Sequence, residues 1–116
     1  MKFNVLKIAG YGLFAYAAIT ASAVMAAGDY DLGKEKAQTC VSCHGETGMS
    51  VSPQYPNLAG QYNDYLVQAL KEYRDGGRDN AIMKGFAGTL NDDDIANLAA
   101  YFSAQEGLFT PTPSQW

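Results

Sequence analysis

The residues best equipped for chemistry lie together at Cys40-Val41-Ser42-Cys43-His44, a stretch that holds both cysteines and the single histidine of the chain. Two thiols separated by two residues suit addition to the two vinyl groups on one edge of a porphyrin, giving two thioether bonds. The imidazole that follows is then held beneath the iron and offers a ring nitrogen as proximal ligand. This C-x-x-C-H spacing is the covalent attachment pattern of a c-type haem, and it makes Cys40, Cys43 and His44 the candidate cofactor-binding residues. Three other readings compete. A thioredoxin-like redox pair wants the motif at a helix start after a strand, and no strand pattern precedes Cys40. A zinc site needs four ligands, and two cysteines with one histidine leave only a carboxylate to complete it. A disulfide across so short a span is strained and leaves His44 without a role.

A haem iron has a second axial position, and histidine is excluded from it by count. The methionines are Met1, Met25, Met49 and Met83, of which the first two lie in an N-terminal leader. Met49 is five residues past His44, a reach of at most about 17 Å fully extended, too short to round the macrocycle edge. Met83 lies 39 residues past His44, beyond an expected helix, and can approach the opposite face. The bland reading of Met83 is a flexible core filler; with haem present it is the favoured ligand. His/Met ligation raises the iron potential and leaves no open position for substrate, which points to electron transfer.

The elements that must position these groups come from a chain of 116 residues, 47% hydrophobic and 17% charged. That length supports one domain. It is too short for a doubly wound nucleotide fold with a second domain, or for a barrel enzyme. Residues 1–26 read as an export signal: Lys2 and Lys7, then an uncharged apolar run, then small residues ending at Val24-Met25-Ala26. The rival reading is an uncleaved anchor, since about 20 apolar residues just span a bilayer. Residues 27–107 are then the working domain and 108–116, ending in Trp116, an irregular tail.

Charge narrows the partners. The whole chain carries eight bases and twelve acids; without Lys2 and Lys7 six bases remain against all twelve acids, a net charge of −6. Such a surface repels nucleic acid and anionic lipid, so neither is expected as a partner, and a cleaved chain has no stable membrane insertion. A redox protein with a basic docking surface is favoured, and an exported chain places the encounter in the periplasm.

Strand signals are nearly absent, and the expected fold is all-α. A first helix is expected over Leu32–Thr39, capped by Asp29 or Asp31. Its Gly33 costs about 1 kcal/mol against Ala, which is reasonable if another helix crosses there closely. Tyr62, Tyr65, Leu66, Ala69, Leu70 and Tyr73 form a one-face stripe for a second helix over Asn63–Asp75, ended by Gly76-Gly77. Arg78, just past it, is a candidate partner for a haem propionate; the alternative is a solvated loop arginine. A last helix starts at the Asn91 cap, with Asp92, Asp93 and Asp94 at its positive end and Ile95, Leu98, Ala99 and Phe102 as its buried stripe.

Four segments in order carry a family resemblance: Cys40 to Gly45, Pro56-Asn57-Leu58-Ala59-Gly60-Gln61, Met83, and Leu90 to Gln105 with Leu98-Ala99-Ala100-Tyr101-Phe102 inside it. They resemble the class I c-type cytochromes, most of all the small bacterial c4/c553-like branch. That resemblance implies a small fold of three to four helices wrapped around one covalently attached haem c. It implies that the Pro56 carbonyl accepts a hydrogen bond from the ligand imidazole, making Pro56 a further cofactor-binding residue. It also implies that the first and last helices cross, with an aromatic of the last, here Tyr101, on a small residue of the first. The c4 proteins carry two such domains in tandem, whereas this chain has one C-x-x-C-H and no internal repeat. The function implied is one-electron transfer without catalysis, as a monomer or as a subunit relaying electrons from a partner dehydrogenase, for example one acting on sulfur compounds or containing flavin. An enzyme or gas sensor would require Met83 to be absent from the iron.

Overall fold

The computed structural model of the protein describes residues 27–107. The expected leader (1–26) and tail (108–116, with Trp116) lie outside the described residues. Among the described residues the secondary structure is entirely helical, as expected: α1 Tyr30–Lys36, α2 Val41–His44, α3 Asn63–Asp75, α4 Ala81–Ala87 and α5 Asp92–Ser103. None of these helices is long and apolar enough to cross a membrane.

The first helix differs from expectation at both ends. Asp29 is the cap, its carboxylate accepting the Leu32 N–H at 2.9 Å, so α1 begins at Tyr30. Residues Ala37–Thr39 tighten into a 3-10 turn, and the Cys40 N–H reaches the Ala37 carbonyl at 2.8 Å. Such turns commonly satisfy the last carbonyls of a helix. Here the turn hands the chain directly to α2, which is one turn long and carries Cys43 and His44.

The bounds of α3 match the stripe read from sequence. Its face is only partly core, however: Leu66 and Ala69 are buried, while Tyr62 and Tyr65 are 59% and 47% exposed. Tyr62 precedes the first turn as cap, and Tyr65 faces a cavity instead of packed side chains. The seven-residue α4 has no counterpart in the sequence reading. Asn80 caps it, accepting the Met83 N–H at 2.9 Å.

The core lies where α5 meets α1 and α3. At the α1–α5 crossing a Cβ on Gly33 would strike the Asn97 carbonyl and sit 2.9 Å from Tyr101 Cβ. The glycine is there for close approach, and Tyr101 is the aromatic that packs on it. Tyr101 also donates its hydroxyl to the Glu46 carbonyl at 2.9 Å, pinning α5 to the loop after α2.

The start of α5 is fastened on three sides. Asn91 and Asp94 cap each other reciprocally, with side chain-to-backbone distances of 2.8 and 3.2 Å. Lys36 of α1 pairs with Asp94 at 2.9 Å, and Arg74 and Lys71 of α3 pair with Asp92 at 2.7 and 3.4 Å. The Lys36 hydrogen bond holds the Asp94 carboxyl below its ordinary range, and the Arg74 hydrogen bond does the same for Asp92. Stability drawn from these carboxylates is complete above their unfolded pKa of about 3.9 and is lost as pH falls through the lower folded values. Thermal melts should therefore be steady from neutral pH down to about 5 and fall progressively below about 4. Asp94→Asn should melt lower at pH 7 and show a shallower acid limb; an acid limb identical to wild type would remove Asp94 from the account.

Candidate cofactor site

Between α2, α3, α4 and α5 lies a cavity of about 300 Å³ with mostly apolar walls, including Leu66, Leu70, Leu98 and Phe102. All six residues singled out from the sequence line it: Cys40, Cys43, His44, Pro56, Arg78 and Met83. Met49, set aside on reach, does not line it and is 45% exposed.

His44 is 6% exposed and is the one buried polar or charged residue among those described. Its Nδ1 donates to the Pro56 carbonyl at 2.8 Å, which orients the ring and leaves Nε2 as the nitrogen available to a metal. Nε2 makes no hydrogen bond to any described residue. Tyr55 stands edge-on to the ring with centroids 6.3 Å apart. The carbonyl is presented by a loop without regular structure, which the Gly48 carbonyl gathers by accepting the Leu58 and Ala59 N–H groups at 2.7 and 3.2 Å.

Both thiols are free and half-buried. Burial pushes the Cys40 thiol up from its ordinary pKa; a contact with the Thr39 hydroxyl opposes this at 3.8 Å. The rival readings of the motif lose their requirements. No strand leads into Cys40 among the described residues, and no three or more His, Cys, Asp or Glu side chains are grouped there to hold a metal ion.

Met83 is half-buried on α4, which packs on α3. Imidazole and thioether thus come to one cavity from separate helices. Arg78 lies 5.0 Å over the Tyr73 ring and 3.4 Å from the Tyr65 hydroxyl, and that hydroxyl raises the guanidinium pKa further. The sequence reading missed Tyr55 and Asn80. Asn80 is a helix-capping residue type two before Ile82-Met83, a signal that was available; nothing in the local pattern marks Tyr55.

The donor set fits an iron porphyrin. One free thiol caps the helix and a second lies within it beside an oriented imidazole, a thioether faces the same apolar cavity, and one cation stands at its edge.

Comparison with known proteins agrees. The cytochrome c family model matches residues 30–105. The chain is 49% identical over 83 residues to cytochrome c-554(548) of Halomonas halodenitrificans, a match covering 69% of this chain and all of that protein. It superposes on the crystal structure of cytochrome c4 from Pseudomonas stutzeri with a TM-score of 0.68 and 38% identity, over 71% of this chain and 48% of that one. It is also 38% identical over 79 residues to the thiosulfate dehydrogenase electron acceptor of Thiomonas intermedia, over 67% of this chain and 36% of that protein. The chain therefore spans the whole of the Halomonas protein and less than half of the other two. The matched family is one of electron carriers with covalently bound haem c. By sequence, fold and donor set together, this chain belongs to the cytochrome c family, in its class I branch.

Proposed function

We propose that the protein is a periplasmic one-electron carrier with a single covalently attached haem c, and that it performs no catalysis of its own. The observation that carries this reading is His44: buried, oriented by Pro56, and facing a cavity shared with both thiols and Met83. When bound, the haem supplies an Fe(III)/Fe(II) couple.

The chain's residues do the rest. Cys40 and Cys43 would hold the group by thioether bonds, keeping it in place in both oxidation states. His44 offers Nε2 to the metal, while the hydrogen bond at Nδ1 fixes the ring and makes it a stronger donor. Met83 would offer its sulfur to the iron from the cavity wall, where a thioether ligand would leave no place for substrate and would raise the potential. Arg78 balances a propionate charge, steadied by Tyr65 and Tyr73. Apolar walls exclude water and help set the potential. The net charge of −6 left after a cut at Ala26 favours a redox partner with a basic docking surface and a short-lived, salt-sensitive complex.

The decisive measurement is a haem stain on a denaturing gel, with the chain expressed alongside a haem-attachment system. Wild type should stain at the mass of the chain, and Cys40→Ser/Cys43→Ser should lose the stain entirely. An unstained wild-type band would end the proposal. A second reading, a subunit relaying electrons from a dehydrogenase, is favoured by the likeness to the Thiomonas electron acceptor. Stable co-purification with such an enzyme would support it; a monomer on gel filtration supports the free carrier.

A further inference from the structure

The Pro56 carbonyl that orients His44 belongs to a loop whose backbone has no ladder to hold it. Two side chains from that loop close a hydrogen-bonded ring back onto the attachment helix. Asn57, next to Pro56, accepts the Ser50 N–H on Oδ1 at 2.8 Å. The Ser50 hydroxyl lies 3.1 Å from the Cys43 carbonyl, one peptide from His44. The circuit runs from His44 Nδ1 to Pro56, through the peptide to Asn57, across to Ser50, and back to Cys43 and His44.

We infer that Asn57 and Ser50 are positioning residues for the axial imidazole: they hold the Pro56 carbonyl on His44 and so set the donor strength of that ligand. This rests on His44 being the proximal ligand, as proposed above. The two links are unequal. The Ser50 hydroxyl has one proton for two carbonyls, that of Cys43 and that of Ser52 at 2.8 Å, and it also accepts the Ser52 N–H at 3.2 Å. Asn57 makes one undivided bond and is the stronger link. The Gly48 carbonyl anchors Leu58 and Ala59 through backbone alone, so it survives side-chain substitution and keeps the loop folded when either link is cut.

The consequence is chemical as well as steric. A hydrogen bond from Nδ1 raises the basicity of the imidazole, which favours the oxidised metal. Loosening the carbonyl makes the imidazole a poorer donor and moves the reduction potential upward. It also frees the Nδ1 proton to exchange with solvent.

The test uses the haem-loaded protein in its reduced, diamagnetic state. In Asn57→Ala, solvent exchange of the His44 Nδ1 proton by NMR should rise about fivefold, the factor a typical net hydrogen bond contributes, and the potential should rise. Asn57→Asp keeps a carboxylate oxygen for the Ser50 N–H and should restore the slow exchange. Ser50→Ala should show the same changes at smaller amplitude, and it serves if Asn57→Ala fails to assemble. A lower melting temperature with unchanged His44 exchange and unchanged potential, in whichever variant assembles, would make both residues merely structural and overturn the inference. Absence of covalent haem in wild type is a separate outcome; it would remove the proximal-ligand reading and this inference with it.

Discussion

Replacing Gly33 with valine is expected to cost about 3 kcal/mol or more, a large share of the stability of so small a domain. Helix propensity alone argues the opposite, because glycine inside a helix is about 1 kcal/mol worse than alanine. The outcome turns on what the new atoms meet. A Cβ at Gly33 falls on the Asn97 carbonyl of α5, and backbone in the middle of a helix has no room to give. The helices must therefore separate, at the largest interface in the fold. Separation loosens Ala37, Tyr101 and Phe102, which are now 1%, 5% and 3% exposed. Gly33→Ala should already be destabilising, and Gly33→Val more so. Gly85→Ala is the control: it is also helical, has nothing within 4 Å of its added Cβ, and should gain up to about 1 kcal/mol. Urea unfolding of the three variants separates propensity from close approach. A stabilised Gly33→Ala would show that the crossing is looser than drawn.

Met83→Ala is expected to have the largest functional effect. On the proposed ligand set, the oxidised protein loses its near-infrared sulfur-to-iron charge-transfer band completely. Carbon monoxide, excluded from the wild type, then binds rapidly to the reduced protein. The potential falls, since a thioether ligand raises it. The bland reading makes different demands. A core filler cut to alanine leaves a cavity and costs about 2–5 kcal/mol with no spectral consequence. The surroundings of Met83 already argue against core filling, because Ile82 and Phe86 on the same short helix are 59% and 46% exposed. A helix whose apolar residues face a cavity is positioned to meet something placed there. Retention of the near-infrared band in Met83→Ala would remove Met83 from the iron, and the carrier reading would lose its closed coordination.

How much of this was legible in the sequence follows from the range of each interaction. The attachment motif is contiguous, and chemistry alone reads it. The bounds of α3 come out correctly because its stripe persists over thirteen residues, long enough for periodicity to speak. The Asn91 cap is a local signal and was readable for the same reason. By contrast, α4 is seven residues long, too short for a stripe, and exists only through its Asn80 cap and its packing on α3. Tyr62 and Tyr65 fit the stripe but not the core, because periodicity reports which side chains share a face and not what that face meets. The loop that presents Pro56 was the least legible part. Its hydrogen bonds join residues seven to twelve apart through side chains and carbonyls, and no periodic pattern records them. Pro56 was singled out through the family resemblance alone.

The meeting of α1 with α5 also constrains how the chain is made. The partners stand at opposite ends of the described domain: the Asp29 N–H bonds the Asn97 side chain at 2.7 Å across a separation of 68 residues, and Gln105 reaches the Tyr30 hydroxyl at 3.2 Å. Until the ribosome has released the segment that becomes α5, α1 has nothing to bury Gly33 and Ala37 against, and α3 lacks its main neighbour. The core cannot be assembled from a nascent fragment. Closure waits until α5 has been made, and its entropic cost is that of a long loop. For a polypeptide exported before it folds, as proposed here, that delay is an advantage. The topology keeps the unfinished chain open for translocation.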